Sequence, residues 1–247
     1  MHDTPVALVT GANRGLGFET ARQLAAKGLF VLVGSRDLEQ GRSAANEVGG
    51  NSKGFELDVS DSSSIGHAIQ HIRNEYGRLD VLVNNAAILN DIGQQPSKVS
   101  EQTLRQNLDV NFIGPYLLTA GLADLLKAAP DGRVLNLGTQ VGSFANLSDP
   151  DSPIKDDICP AYQASKIALN SMTALFAKEF ADTNVRINSV CPGWVMTDMG
   201  HEDLPDYGDA VKPLSPAEAV AAYVDLVNPA QPAPQGKFIT GGQAIPW

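Results

Sequence analysis

The chain is poor in cysteine and in positive charge, and it has no long apolar run. Only Cys159 and Cys191 stand among 247 residues, with no CxxC spacing, so neither a disulfide framework nor a zinc site is indicated. Eighteen Lys and Arg face 28 Asp and Glu, a net charge of −10. That surface argues against general nucleic-acid binding and against docking on anionic lipid. An anionic ligand would have to be held by local groups instead of the global field. No stretch approaches the roughly 18 apolar residues of a membrane span. The opening MHDTPVALVTGAN has neither a basic n-region nor an apolar h-region. The expectation is a reduced, cytoplasmic protein. His67 and His71 share an i,i+4 face, but HAIQH lacks the glutamate of HExxH and a third ligand, so no metal is expected.

What is present is a rhythm. Short apolar runs at 6–10, 30–34, 53–59, 80–86, 133–138, 185–193 and 236–242 alternate with amphipathic stretches at 15–28, 37–48, 61–76, 100–128, 160–182 and 215–227. Near-continuous Val, Leu and Ile suggest strands buried on both faces. Strand–helix alternation of that kind predicts an α/β fold: a Rossmann-type, doubly wound sheet of about seven parallel strands with helices on both faces. There is no internal repeat and no linker, so residues 1–247 are expected to form a single domain. Two segments break the rhythm, 143–161 and 199–214. Loops this long inside an α/β domain are more often functional than idle, and both should lie at the carboxyl ends of strands, where ligands bind.

The first strand runs into Thr10-Gly11-Ala12-Asn13-Arg14-Gly15-Leu16-Gly17 and then a helix. Glycines admit close backbone approach, and a helix N-terminus offers N–H groups and a positive dipole end. In the first βα unit that turn is where a dinucleotide pyrophosphate would sit, although the spacing is GxxxGxG and not GxGxxG. The second strand ends at Ser35-Arg36-Asp37. An arginine there accommodates a 2′-phosphate, whereas an acid binds a ribose 2′-hydroxyl. Arg36, with Arg14 nearby, points to NADP(H). Asp37 turned inward would favour NAD.

Tyr162 and Lys166 lie four positions apart in CPAYQASK, which on a helix puts both on one face. An ammonium beside a phenol favours the phenolate and should lower the phenol pKa, making the tyrosine a proton donor and acceptor. The pair alone decides nothing. Taken with the glycine loop, Asp58-Val59, Asn84-Asn85-Ala86-Ala87, Asn111, NLGTQVG at 136–142 and Pro192-Gly193 with Thr197, the whole chain resembles the short-chain dehydrogenase/reductase family. Within it the chain is similar to the carbonyl-reductase-like branch.

That resemblance implies an NADP(H)-dependent oxidoreductase that interconverts a carbonyl compound and an alcohol. Tyr162 would be the general acid/base, and Lys166 would bind the nicotinamide ribose and depress the tyrosine pKa. Asn111 would kink its helix and hold a relay water. Thr139 stands where the family usually has serine, with the same hydroxyl and an added methyl; Ser143 is a weaker substitute. Gly11, Asn13, Arg14, Gly15, Leu16 and Gly17 would line the phosphate loop, with Ser35 and Arg36 at the 2′ position. Asp58 and Val59 would hold the adenine. Asn84 and Ala86 would close the cleft beneath the ribose. Pro192, Gly193, Val195 and Thr197 would hold the nicotinamide end. Ile88, Gln140, Trp194 and Met199 would meet substrate, with Tyr207 a further candidate. The insertion at 143–161 favours a monomer. The alternatives are an NAD-linked alcohol dehydrogenase and a cofactor-binding regulatory protein with a vestigial site.

Overall fold

A computed structural model of the chain describes residues 4–152, 154–200 and 213–247. Eight strands form one sheet in the order β3-β2-β1-β4-β5-β6-β7-β8. They are β1 (Val6–Val9), β2 (Phe30–Ser35), β3 (Ser52–Glu56), β4 (Val81–Asn84), β5 (Gly132–Leu137), β6 (Val185–Cys191), β7 (Phe238–Thr240) and β8 (Gln243–Ala244). The first seven pair in parallel, as expected. The added β8 turns back antiparallel on β7. Gly241 and Gly242, both at positive φ, make that reversal, which the sequence reading did not separate from the seventh run.

Side chains alternate across the strands. On one face Leu8, Leu32, Leu82 and Val134 pack beneath α3 (Ser62–Tyr76), α5 (Gly114–Gly121) and α8 (Pro160–Glu179). On the other, Ala7, Val9, Val31, Val33 and Val83 pack beneath α1 (Gly15–Ala26) and α2 (Leu38–Val48), with Val220 of α9 (Pro216–Ala221) and Tyr223 beside them. Each buried Leu or Val contributes about 1.5–3 kcal/mol. Double-sided burial explains why the strands read as unbroken apolar runs.

The stretch 100–128, read as one helix, is three. Between α4 (Glu101–Leu108) and α5 lies a π-helical turn, Asp109–Ile113, and α6 (Ala123–Ala128) follows. Pro115 supplies no N–H at the start of α5. Gly114 packs so closely that a Cβ there would sit 2.2 Å from the Val59 carbonyl oxygen. The expected kink at Asn111 is this π turn, a feature frequent at functional sites. The segment 143–161 contains α7 (Phe144–Ser148) and runs into the start of α8. Of 199–214, residues 201–212, and Tyr207 with them, lie outside the described residues. Strand order reverses between β1 and β4, and the crevice at that switch point is where an open α/β sheet binds its ligand.

Candidate active site

At the first turn Gly11 and Gly15 have φ of +60° and +58°, a region costly to any residue with a Cβ. Gly17 is needed for space: a Cβ there would lie 2.4 Å from Asn85 Nδ2 and 2.5 Å from the Gly11 oxygen. Asn85 braces the loop, donating from Nδ2 to the carbonyls of Thr10 at 2.8 Å and Gly11 at 3.1 Å. Thr10 Oγ1 in return accepts from the amides of Asn85 and Ala86, both at 3.0 Å. The motif Asn84-Asn85-Ala86-Ala87 by itself gives Asn85 no role, and its function as a brace is visible only in three dimensions. Asn84 is buried and donates instead to Asn136 Oδ1 at 2.8 Å and Thr119 Oγ1 at 3.3 Å, tying β4 to β5 and α5.

The N-terminus of α1 has no side-chain cap. By contrast α2, α3 and α4 are capped by Asp37, Asp61 and Ser100. No side chain competes for the first-turn donors of α1, which open onto the glycine turn. Asp37 accepts from the amides of Glu39 at 2.9 Å and Gln40 at 3.1 Å. The carboxylate that left the cofactor choice open is thus committed to α2. Ser35 is buried and accepts from the Asp37 amide at 3.3 Å. Arg36 is exposed, and its side chain pairs with nothing among the described residues. Arg14 pairs with Asp198 at 3.2 Å, both well exposed, and Asn13 donates to Gln40 at 2.9 Å. Half-buried Leu16 lies in the first turn of α1. Asp58 Oδ1 is drawn to Ser60, and Val59 is buried against Gly114.

Helix α8 brings Tyr162 and Lys166 to the carboxyl end of β5. Lys166 is buried, and its Nζ donates to the Leu137 carbonyl at 2.7 Å while lying 5.6 Å from the centre of the Tyr162 ring. The loop after β5 is clamped to the same helix. Asn170 donates to the Gly142 carbonyl at 2.9 Å, and a Cβ on Gly142 would fall 2.5 Å from Lys166 Cβ. That clamp carries Thr139, half-buried two residues beyond Leu137 and accepting from the Val141 amide at 3.4 Å. The Ser143 hydroxyl is engaged elsewhere: it donates to the Pro246 carbonyl at 2.9 Å and accepts from the Asn146 amide at 3.1 Å.

The expected effect of Lys166 on Tyr162 needs correction. Burial raises the phenol pKa, with smaller contributions from Cys159 and Cys191, and Lys166 is not among the causes. Burial also pulls the Lys166 ammonium down to about 8. Lys166 lies over the ring, 5.6 Å from its centre, and withdrawal from solvent is the largest cause of the Tyr162 shift. Asn111 is buried and holds Ile88 by both edges, accepting from its amide and donating to its carbonyl, each at 2.9 Å. It also donates to Ser165 Oγ at 2.9 Å, and Ser165 Oγ donates to the Tyr162 carbonyl at 2.7 Å. The Asn111 side chain is therefore engaged by Ile88 and Ser165.

The remaining candidates lie on the segments that follow β4, β5 and β6. Gly193 has φ of +83°, and the Thr197 methyl lies 3.6 Å from where a Gly15 Cβ would be. Val195 is buried in a bridge to Leu214. Pro192, Trp194, Gln140, Ile88 and Ala86 are half-buried, and Met199 is exposed. The sequence reading missed Asp91, which is fully buried and accepts from the amides of Ala161 and Tyr162. No local pattern marks it, because its partners lie 70 residues away.

Residues 5–208 match the family model described as short chain dehydrogenase. The chain is 30% identical to (+)-neomenthol dehydrogenase of Arabidopsis thaliana, over 98% of each chain. Among solved structures, NADPH-bound carbonyl reductase from chicken fatty liver superposes with a TM-score of 0.83 at 24% identity, covering 99% of each chain. At that identity the likeness bears on fold alone. A metagenomic short-chain oxidoreductase in complex with NADP has a TM-score of 0.74 at 28% identity, covering 96% of each chain.

Proposed function

Because the chain belongs to the short-chain dehydrogenase family, we propose that it is an NADP(H)-dependent reductase of ketones or aldehydes, with Tyr162 as the proton donor. The observation that carries this reading is the convergence of Tyr162, Lys166 and the Thr139 loop at the carboxyl end of β5, beside the switch point. A nicotinamide cofactor supplies hydride when bound; the chain supplies position and a proton. The uncapped first turn of α1 would take its pyrophosphate, and Lys166 would hold the nicotinamide ribose. As negative charge develops on a carbonyl oxygen, the Tyr162 and Thr139 hydroxyls would stabilise it, and Tyr162 would give up its proton. A phenol at or above its ordinary pKa carries its proton at neutral pH, as a donor must. A relative named for an alcohol, neomenthol, supports carbonyl–alcohol chemistry. The deciding experiment compares NADPH with NADH consumption over aldehydes, α-diketones, quinones and bulky ketones. Turnover with NADPH is expected. Turnover preferring NADH would favour the alcohol-dehydrogenase alternative, and cofactor binding with no turnover a vestigial site.

The choice of NADP(H) rests on Arg36, exposed and unpaired among the described residues, while Asp37 is committed to its cap. Charge-assisted hydrogen bonds contribute about 1.5–3 kcal/mol. Arg36→Ala should therefore weaken NADPH binding about tenfold or more and leave NADH binding nearly unchanged, as read by fluorescence titration. Equal loss for both would remove the argument.

The Lys166 ammonium, with its pKa lowered to about 8, sets a pH dependence. A ribose oxygen accepting from it favours the charged form and raises that pKa in the complex. Cofactor binding then takes up a proton as pH climbs past about 8. NADPH affinity should be full below that value and fall above it. In Lys166→Met the profile should be flat; an unchanged profile in that variant would assign the titration elsewhere.

A further inference from the structure

We propose that Asp91 is a positioning residue: its carboxylate holds the first turn of α8 and thereby sets where the Tyr162 phenol stands. The inference rests on the reading of Tyr162 as proton donor. The first turn of any helix has N–H groups without an intrahelical partner. In α8 the first position is Pro160, which has no N–H, and the preceding Cys159 makes no side-chain cap. The next two donors are Ala161 and Tyr162. Asp91 takes both, Oδ2 accepting from Ala161 N at 2.5 Å and Oδ1 from Tyr162 N at 3.4 Å. Gln163 N reaches the Cys159 carbonyl at 2.8 Å, which completes the turn. The capping group therefore comes from the loop after β4, and one of the two amides it grips belongs to the residue whose phenol would do the chemistry.

That loop is itself anchored. Asn111 holds Ile88 by both edges, Asn107 donates to Asn90 Oδ1 at 2.6 Å, and Gly93 N donates to the Ile158 carbonyl at 2.7 Å. Asp91 is thus fixed from the π turn on one side and from the approach to α8 on the other. Its charge is also felt locally: burial, with the negative charges of Asp91 and Asp157, pushes the Cys159 thiol up to about 12. A carboxylate facing a helix N-terminus is favourably placed for the dipole. A phenol displaced by a fraction of an ångström loses alignment with the carbonyl it must protonate, and misplacement of about 1 Å can cost on the order of 100-fold in rate.

The test uses the full chain with Asp91→Ala, Asp91→Asn and Asp91→Ser, reading kcat, NADPH Kd and amide hydrogen exchange over 160–164. Asp91→Ala should lower kcat about tenfold or more, keep NADPH Kd within about twofold, and speed exchange at Ala161 and Tyr162. Asp91→Asn keeps one acceptor oxygen and should recover most of kcat. A folded Asp91→Ala with parental kcat would make Asp91 a stabiliser of the fold only and overturn the inference, whatever the loss in Tm. If Asp91→Ala does not fold, Asp91→Ser decides. Its oxygen lies closer to the backbone, so kcat should fall below that of Asp91→Asn, and parental kcat in both overturns the inference. Tyr162→Phe, with Asp91 intact, separately tests the reading on which this rests. Hydrogen exchange reports the Asp91 contact without any turnover.

Discussion

Tyr162→Phe is expected to lower turnover by roughly 10²–10⁴, the usual contribution of a positioned proton donor, while NADPH affinity stays close to that of the parent. Only the hydroxyl is removed. The ring keeps its place above Lys166, and the amide keeps its bond to Asp91. The hydroxyl is in no hydrogen bond among the described residues, so its loss leaves no buried partner stranded and stability should change little. Steady-state kinetics with a carbonyl from the active panel, and fluorescence titration of NADPH, give the two readouts. A variant that kept parental kcat would show that the proton comes from elsewhere, with Thr139 the next group to examine. Loss of cofactor affinity in step with kcat would mean that the phenol serves binding.

Gly17→Ala should act on binding and stability together. A Cβ there would meet Asn85 Nδ2 at 2.4 Å, the Gly11 oxygen at 2.5 Å and Ala12 Cα at 2.9 Å. Two of these are backbone atoms. The Asn85 amide could move only by releasing the carbonyls of Thr10 and Gly11. Overpacking of a tight site costs about 1–3 kcal/mol. For a domain of this size each kilocalorie is worth about 2–4 °C in Tm. Because the strain falls on the turn that would cradle the pyrophosphate, NADPH affinity should drop by about tenfold or more, since one lost hydrogen bond to a charged group already has that value. Thermal denaturation with and without NADPH measures both. An unshifted Tm with full stabilisation by NADPH would mean that the first turn relaxes freely, against the packing described.

Some of the site could be seen in the sequence because its signals are local. Glycine spacing, the end of the second strand and the i,i+4 pair of Tyr162 and Lys166 each follow from backbone geometry over a few residues. The seven parallel runs were visible because strands buried on both faces must be apolar throughout. The sequence reads as one helix over 100–128 because its apolar pattern persists through the π turn; Pro115 is the local mark of the break, and Gly114 meeting Val59 from another segment is not visible in the sequence. The split between Asn84 and Asn85 also escaped the sequence, since neighbouring residues on a strand end face opposite layers and only one reaches the glycine loop.

The sequence by itself determined the fold class, the family resemblance and the identity of the tyrosine–lysine pair. Tertiary structure decided how the ambiguous groups are used. Asp37 is spent on capping α2, Ser143 is bound to the Pro246 carbonyl, and Asp91 caps the helix that carries Tyr162. It also set the direction of the Tyr162 pKa, upward and with burial as the largest cause, where the Lys166 spacing suggested a lowering. The physical reason is common to all four. A carboxylate or hydroxyl has several possible partners of similar energy, and a phenol has no fixed solvent exposure. Which partner or exposure prevails is set by packing between segments distant in the chain.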